Sequence, residues 1–391
     1  MFIIGIDIGK RKHEAIIIDD TGKIVQKAFS FPNSCTGYNK LIDRVLQFSG
    51  HKDQLIFGME ATSHYWLPIY TRLQKEGYAA HVINPIQSDA LRGLYIRQNK
   101  TDSHDSFIIA EVIRFGRYSA TQISHTTCHA LRELCRNRFY LVDMVSDLKR
   151  KTNALIDQVF PEYSTLFSDN FIESSMDLLS KYPTPTFMRR SNTDALTKLL
   201  FQSSNKHFGK GKAMEIKELA QSTFGIPDSC GVYAKLIRTY IEQIKNLKQH
   251  ISDIDDMISS LFAEFDTNIT SIPGIGPVLG AVIFSEIADI SRFRSADKLA
   301  AFAGIDPTVN QSGDFIGTRN HMSKRGSPYL RRALWMASTV AIQRDPMFKA
   351  YYEKKASEGM RYMKIIGHVT KKMCNVVFAV LRDNITYTPH Y

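Results

Sequence analysis

The sequence predicts an α/β region at its N-terminal end, followed by regions that are mainly helical. Up to about residue 122, short apolar runs of strand type alternate with helical patterns, and beyond it two long runs repeat their apolar residues every seven positions. With 391 residues and 43% hydrophobic content, the chain is long enough for several hydrophobic cores. We therefore predict three domains, at 1–122, 123–265 and 266–391.

Acidic residues stand at the ends of two predicted strands. The apolar run that begins at Phe2 reaches Asp7 and breaks at Gly9, and the run after Gln54 ends at Glu60. The strands between them form an antiparallel meander that leads into a helix near 34–48. If the first and last of these strands are neighbours in a mixed sheet, their carboxylates form a pair of metal ligands.

Two further carboxylates, Asp102 and Asp105, precede the apolar stretch 107–110. A spacing of three residues places both on one face of a first helical turn. Four carboxylates suit Mg²⁺, which prefers oxygen ligands, and two such ions can stabilise both oxygens of an in-line phosphoryl displacement; Mn²⁺ is the alternative ion. Taken singly, Asp102 can instead be a helix cap and Asp7 a turn residue.

The central region predicts a long coiled-coil arm. Leucines recur every seven residues from Leu134 to Leu155, with Arg138 and Thr152 interrupting the matching row, and a second run from Ile237 to Phe265 alternates spacings of three and four. The runs can pair with each other as an antiparallel hairpin, pair with another protomer, or be ordinary bundle helices. Residues 161–230 between them predict an irregular helical insertion.

The third region opens with a turn typical of a helix-hairpin-helix element. Gly274 and Gly276 lie in the segment 273–277, ahead of an apolar helix. Such a turn brings backbone N–H groups close to a DNA phosphate, and the helix dipole favours that anion. A plain turn between two helices is the alternative interpretation.

The C-terminal region also carries most of the positive charge. Residues 266–391 hold 17 Lys and Arg against 10 Asp and Glu, and no acidic residue occurs between Phe315 and Arg344. Such a patch attracts polyphosphate, although a solvated basic face is the alternative. Ser312 lies ahead of it in a polar loop, where a serine-glycine pair is usually only a turn. The candidate nucleic-acid contacts are Lys100, Gly274, Gly276, Arg319, Lys324, Arg325, Arg331 and Arg332.

Other composition features exclude several classes of protein. Five cysteines without a C-x-x-C pair argue against a disulfide framework and a zinc site. No apolar h-region lies near residue 1 and no run of 18 or more uncharged apolar residues occurs, so we expect neither secretion nor a membrane span. We expect a prokaryotic cytoplasmic protein associated with the nucleoid.

Several short motifs occur in order along nearly the whole chain. They are Gly5-Ile6-Asp7, Met59-Glu60-Ala61-Thr62-Ser63-His64-Tyr65, Ile83-Asn84-Pro85, Lys100-Thr101-Asp102-Ser103-His104-Asp105, Pro273-Gly274-Ile275-Gly276, and Gly304-Ile305-Asp306-Pro307 with Gln311-Ser312-Gly313. Together they resemble the DEDD insertion-sequence transposases related to the Piv DNA invertase. One departure is Ser63, where that family often has glycine.

The resemblance implies a RuvC-like N-terminal domain with an RNase H-type fold. Its acidic quartet corresponds to Asp7, Glu60, Asp102 and Asp105, and its serine nucleophile to Ser312. It implies a recombinase that cuts and rejoins element-end and target DNA through a phosphoserine intermediate, guided by a structured noncoding RNA. The long arm makes a homodimer or homotetramer easy to build.

Three other functions are compatible with parts of the pattern. A RuvC-like junction nuclease has the same metal site but uses water in place of Ser312. An actin-like sugar kinase has a phosphate loop similar to residues 5–10, but it needs neither a basic C-terminal third nor the pair at Asp102 and Asp105. A DNA-binding protein without catalysis uses only the helix-hairpin-helix and the coiled coil.

Overall fold

The structure is a computed structural model in which the chain forms two compact units, Met1–Ile123 and Ser124–Tyr391. It describes residues 1–61, 63–92, 102–116, 126–307, 311–312, 315–316 and 321–389. Within those ranges, only the backbone is described at positions 86, 102, 103, 126, 311, 312, 315 and 316.

The described part of the first unit contains five strands and four α-helices. The strands are β1 Phe2–Asp7, β2 Lys12–Asp19, β3 Ile24–Pro32, β4 Leu55–Glu60 and β5 Ala79–Ile83. The helices are α1 Cys35–Val45, α2 Leu67–Lys75, α3 Pro85–Arg92 and α4 Asp102–Phe115. Ser34 caps α1, because its side chain accepts a hydrogen bond from the backbone of Gly37.

These strands form one mixed sheet with the order β3-β2-β1-β4-β5. β1 pairs antiparallel with β2, and β2 with β3, whereas β4 runs parallel to both β1 and β5. The structure thus confirms the predicted mixed sheet and its N-terminal meander. It also makes β1 and β4 neighbours, which was the condition for pairing their terminal carboxylates.

The two faces of the sheet are covered by different helices, because successive strand residues point to opposite sides. Ile4 and Ile6 of β1 pack in a core with α1 and α2. Ile3 packs in a second core with residues of α4. Odd-numbered residues of β1 therefore face α4.

The described part of the second unit is mostly helical. Its helices are α5 Thr126–Val159, α6 Glu173–Lys181, α7 Pro185–Arg190, α8 Thr193–Ser203, α9 Lys210–Ser222, α10 Val232–Phe262, α11 Pro277–Ile287, α12 Ala296–Ala303, α13 Pro328–Arg344, α14 Pro346–Ser357 and α15 Tyr362–Asp383. A hairpin of two-residue strands, β6 Gln311–Ser312 and β7 Phe315–Ile316, lies between α12 and α13.

The long helices α5 and α10 pack against each other in antiparallel directions. Arg138 of α5 pairs with Asp255 of α10, and nearer the other end the Tyr233 hydroxyl lies 3.2 Å from Gln158 Oε1. Of the predicted pairings, the structure contains the antiparallel hairpin. Both polar residues that interrupt the first heptad run have partners for their side chains. Arg138 pairs with Asp255, and the Thr152 hydroxyl donates to the backbone carbonyl of Leu148 at 2.7 Å.

Two separate hydrophobic cores lie along this helix pair. One joins the Leu131 to Phe139 part of α5 to helices α11–α15. The other joins the part from Val145 onward to helices α6–α9. The structure gives residues 161–222 regular helices, whereas the division into domains at 123–265 and 266–391 remains a prediction.

In the part of the chain that the structure describes, no helix is both long and apolar enough to cross a membrane.

Candidate active site

Asp7 and Glu60 end two neighbouring parallel strands. The register pairs Ile6 of β1 with Met59 of β4, so these carboxylates belong to the next residues at the same edge of the sheet. Both are partly exposed, and each makes contacts with other groups in the unit. The carboxyl ends of parallel strands are a common place for ligand sites in α/β proteins. The sequence pattern and the sheet topology therefore both place Asp7 and Glu60 at this edge of the sheet.

Two glycines let α4 pack directly on this part of the sheet. A Cβ atom built on Gly5 would lie 2.1 Å from the backbone oxygen of Ser106 and 2.7 Å from the backbone nitrogen of Ala110. One built on Gly58 would lie 2.4 Å from Ile113 Cγ1. Since side chains alternate along a strand, Asp7 and Glu60 share the face of these glycines and point to the side of α4.

Helix α4 brings Asp105 to the same face, because its first turn passes Gly5 at the residue after Asp105. The helix begins at Asp102, so both aspartates belong to its first turn, where the helix dipole favours negative charge. Of Asp102 only the backbone is described. The structure therefore places the predicted quartet on three adjoining elements, with the Asp102 carboxylate outside the described atoms.

Helix α3 holds two of these carboxylates. Ser88, which is fully buried, places its hydroxyl 2.7 Å from Glu60 Oε2. Arg92 donates to Asp105 Oδ1 at 2.8 Å and also pairs with Asp89. A guanidinium thus balances the charge of Asp105, a task that a metal cation can also perform.

The described side chains include no group of three or more His, Cys, Asp and Glu residues set closely enough to hold a metal ion. The Asp102 carboxylate is not among these described side chains. The donors that do gather are all oxygens, which fits a hard cation such as Mg²⁺ and not a soft one.

Three residues near this site are absent from the sequence-based assignment: Glu14, Ser88 and Arg92. Glu14 lies directly opposite Asp7 in the antiparallel register of β1 and β2, so it shares the face of Asp7. The short turn between the two strands could have indicated it. Ser88 and Arg92 lie in the helix after β5. Because β5 ends at the same edge of the sheet as β4, residues that follow β5 are expected near Glu60.

Ser312 lies in the β6–β7 hairpin, where its backbone pairs with Phe315 and its side chain is outside the described atoms. The chain segments on either side of this hairpin are joined at Asp306 and Ser323. The Ser323 hydroxyl donates to the Asp306 carboxylate, and its backbone N–H donates to the Asp306 carbonyl at 2.9 Å. Pro307 and Met322 form an isolated bridge next to this contact. We call residues 306–323 the serine loop.

A buried carboxylate anchors the segment after the serine loop. Glu286 of α11 is 3% exposed and pairs with Arg136 of α5 through two contacts, at 2.6 and 3.1 Å. Ser327 caps α13 through the backbone N–H of Leu330 and also donates to Glu286 at 2.8 Å. Three helices thereby fix the point where the loop returns to the helical core.

The glycine-rich turn before α11 has a packing role. Gly274 has a φ of +93°, and a Cβ there would lie 2.4 Å from the backbone oxygen of Ala337 in α13. Glycine is therefore required for conformation and for close contact. Gly276 is exposed and precedes the first residue of α11, so its surroundings are open. The binding of DNA by this turn remains a prediction.

The predicted phosphate-binding cations have different environments. Lys324 and Arg325 are exposed beside the base of the serine loop. Arg331 donates to the backbone oxygen of Ala303 at 3.1 Å, and Arg332 pairs with Asp143 at 2.8 and 2.9 Å. Arg331 and Arg332 thus have structural partners. Lys100 and Arg319 lie outside the described residues.

Comparisons with known proteins match most of these regions. A transposase model of the DEDD IS110 type matches residues 4–161, and the transposase model of the IS116/IS110/IS902 family matches residues 266–353. The chain belongs to the IS110 family of DEDD transposases. It is accordingly a DNA transposase or recombinase, and membership of a DEDD family indicates dependence on a divalent metal.

Individual relatives cover the chain to different extents. The 44.8 kDa protein of insertion element IS116 from Streptomyces clavuligerus is 25% identical over 99% of this chain and 96% of its own length. The 42 kDa protein of insertion element IS900 from Mycobacterium paratuberculosis is 28% identical over 76% of this chain and 75% of its own. The pilin gene-inverting protein of Moraxella bovis is 33% identical over 117 residues, which are 30% of this chain and 36% of that protein.

Proposed function

We propose that this IS110-family protein cuts and rejoins DNA through a phosphoserine intermediate at Ser312, with the acidic quartet as the ligands of metal ions that would polarise the scissile phosphate. The observation that carries the proposal is that Asp7, Glu60 and the first helical turn with Asp105 belong to adjoining elements at one edge of the sheet. Parallel pairing of β1 and β4 and the direct packing of α4 on Gly5 support it.

The quartet would hold Mg²⁺, with two ions in the arrangement we favour and Mn²⁺ as a substitute. A bound divalent ion supplies Lewis acidity and neutralises charge on phosphate oxygens. The all-oxygen donor set fits this ion. Arg92 orients Asp105 where a cation would replace it, while the Ser88 hydroxyl orients Glu60.

In the serine reaction, each phosphodiester bond of the DNA that breaks is replaced by a phosphodiester bond to the serine. Ser312 Oγ attacks phosphorus and loses its proton, the new P–O bond to serine forms, and the bond to the 3′ oxygen breaks. The 3′ oxygen takes up a proton and leaves as a hydroxyl. Attack by a 3′-hydroxyl of the other duplex reverses these steps and releases the serine, so rejoining needs no ATP.

We propose further that a structured RNA guides the choice of DNA, and that the protein acts as a homodimer or homotetramer on the nucleoid. The RuvC-like assignment of the first unit, a four-way junction intermediate and DNA binding by the turn at Gly274 and Gly276 belong to the same proposal. The exposed cations Lys324 and Arg325 support phosphate binding beside the serine loop.

Detection of a covalent adduct tests the proposal directly. Labelled element-end DNA, Mg²⁺ and RNA transcribed from the element flanks are incubated with wild type, Ser312→Ala and Asp102→Ala, and the products are separated on a denaturing gel. We expect an adduct with wild type and none with either variant. Ser204→Ala, in a turn of the second unit, provides a matched serine control.

The same experiment separates this function from a second candidate, a metal-dependent junction nuclease that uses water. The carboxylate site is assembled within the first unit alone, which favours a site able to cut without a serine. Cleavage without an adduct, and with full activity in Ser312→Ala, would establish the nuclease and exclude the serine intermediate.

A further inference from the structure

Three consecutive cations follow β1 close to Asp7: Lys10 and Arg11 lie in the turn between β1 and β2, and Lys12 begins β2. Lys10, Arg11 and Lys12 are exposed, and residues 7–14 line a cavity of about 360 Å³. The ion pairs of the first unit, within its described residues, involve other side chains. The turn therefore presents positive charge to solvent at the edge where the quartet lies.

The backbone of this turn is held in place by its neighbours. Asn33 donates from its backbone to the Arg11 carbonyl at 2.9 Å and from its side chain to the Lys10 carbonyl at 3.3 Å. The backbone N–H of Gly9 donates to Nδ1 of His13 at 3.3 Å. Burial lowers the pKa of His13, so its imidazole is neutral at pH 7 and able to accept this bond. The exposed side chains of Lys10, Arg11 and Lys12 can therefore reach a ligand from a backbone that is fixed.

The negative charge of the carboxylates at this edge must be compensated before DNA can approach. Asp7 and Glu14 both line the same cavity, and Glu60 and Asp105 lie at the same edge of the sheet. A nucleic-acid strand that approaches these carboxylates is repelled unless nearby positive charge compensates. Cations on a fixed turn can bind the phosphates on either side of the one that reacts without occupying the site itself.

We propose that Lys10, Arg11 and Lys12 form a clamp for the DNA strand that enters the carboxylate site, where they bind phosphates next to the scissile one. This inference rests on the proposed function, because it takes the quartet to be the place of cleavage. It goes beyond that function by assigning the turn, residues 9–12, to the substrate strand and not to the guide RNA.

Salt-dependent binding provides the first test. The variant Lys10→Gln/Arg11→Gln/Lys12→Gln is compared with Lys23→Gln/Lys27→Gln/Lys75→Gln, which removes three exposed cations of the same unit away from the cavity. Binding of fluorescent element-end duplex is measured by anisotropy without divalent metal. We expect the slope of log affinity against log salt to decrease by about 2–3 for the clamp variant and by less than about 1 for the control. Equal changes in both variants would overturn the clamp.

Crosslinking locates the contact relative to cleavage. A photoreactive benzoylphenylalanine replaces Arg11, and the crosslinked nucleotide is mapped beside the cleavage position. We expect DNA crosslinks within about two nucleotides of the cut. Cleavage with crosslinks only to RNA, or to distant DNA, would reject the clamp and leave the proposed function standing. Absence of cleavage in wild type would reject the proposed function, and the salt dependence would still decide whether the turn binds DNA.

Discussion

The carboxylate site and the serine loop are held by different kinds of structure. Asp7 and Glu60 end strands whose register is fixed along six and five residue pairs, and α4 packs across these strands at two glycines. Ser312 belongs to a hairpin of two-residue strands, whose flanking segments meet through Asp306 and Ser323. One site is therefore positioned by extended packing and the other by a few polar contacts.

This difference indicates how each site responds to mutation. Packing against backbone atoms has no small adjustment available, so an added methyl group at Gly5 shifts a whole helix. Hydrogen bonds at the base of a loop can be lost one at a time while the surrounding helices remain folded. We expect global effects at the carboxylate site and local effects at the serine loop.

The largest expected effect comes from Gly5→Ala. The new methyl group would meet backbone atoms of Ser106 and Ala110, which cannot rotate away. We expect destabilisation by about 3 kcal/mol or more, and a displacement of α4 that lowers DNA cleavage by about 100-fold or more. Urea unfolding and cleavage of element-end DNA measure the two quantities.

Alanine substitutions at two other glycines provide stability changes with which the Gly5→Ala variant can be compared. Gly58→Ala meets the Ile113 side chain, which can change rotamer, so we expect a smaller cost of about 1–2 kcal/mol. Gly50→Ala has nothing within 4 Å and is the matched control. Equal stability of the Gly5 and Gly50 variants would show that α4 does not pack on β1 in this way.

The next effect is expected at the base of the serine loop. Ser323→Ala removes a hydroxyl that donates to the Asp306 carboxylate, a type of bond that contributes about 1.5–3 kcal/mol. We expect adduct formation by Ser312 to decrease about tenfold, whereas the unfolding temperature of the chain decreases by only about 3–10 °C. The adduct gel and circular dichroism measure these outcomes.

A double-mutant cycle sharpens this prediction. Because Asp306 and Ser323 act on each other, Asp306→Ala/Ser323→Ala should impair adduct formation no more than the worse single variant. Ser357→Ala removes an exposed hydroxyl that bonds only to a neighbouring backbone oxygen and serves as control. Additive losses in the double variant would mean that the two residues do not act as a pair.

How far sequence predicts structure also differs between the two sites. Residue alternation and the positions of Asp7 and Glu60 predict the strands and their acidic ends, and the structure confirms the mixed sheet. The contacts of Ser88 and Arg92 were not predictable, because the sequence alone does not show whether a loop or a helix follows Asn84, and helix α3 begins at Pro85. Proline is compatible with either, since it fits the first turn of a helix.

For the serine loop, sequence predicts less. Asp306 and Ser323 are 17 positions apart, and no periodicity relates residues across an irregular loop. Arg332 illustrates the same limit, because its charge predicts a phosphate contact, whereas Asp143 on α5 binds it. Long-range polar pairs depend on the tertiary fold, and residue type alone does not identify them.

A moderate effect is expected when Arg92 is removed from the carboxylate site. Arg92→Ala leaves Asp105 without its guanidinium partner, so a divalent ion no longer competes with that charge. We expect half-maximal cleavage at a roughly fivefold lower Mg²⁺ concentration, which corresponds to about 1 kcal/mol for a half-buried pair. Arg72→Ala breaks an ion pair of α2, on the other face of the sheet, and is the control. An unchanged or higher Mg²⁺ requirement would contradict this competition.

The smallest effect concerns backbone strain, which both sites contain at a residue other than glycine. Ser63, three positions after Glu60, has a φ of +54°, and Lys324, beside the base of the serine loop, has a φ of +53°. The family resemblance predicts glycine at Ser63, and a positive φ is the conformation that glycine adopts without steric cost. Ser63→Gly and Lys324→Gly should each stabilise the chain by about 0.5–1 kcal/mol, because glycine adopts this conformation without steric cost.

Function separates the two substitutions. Ser63 contributes no charge, so we expect Ser63→Gly to retain DNA affinity and cleavage. Lys324→Gly loses a cation that we expect to bind phosphate, so its affinity for DNA should decrease about two- to fivefold, with a salt slope smaller by about 1. Urea unfolding and anisotropy on the same preparations measure both effects. If Lys324→Gly binds DNA as tightly as Ser63→Gly, the cation beside the serine loop is a solvated charge, and strain there has no link to substrate binding.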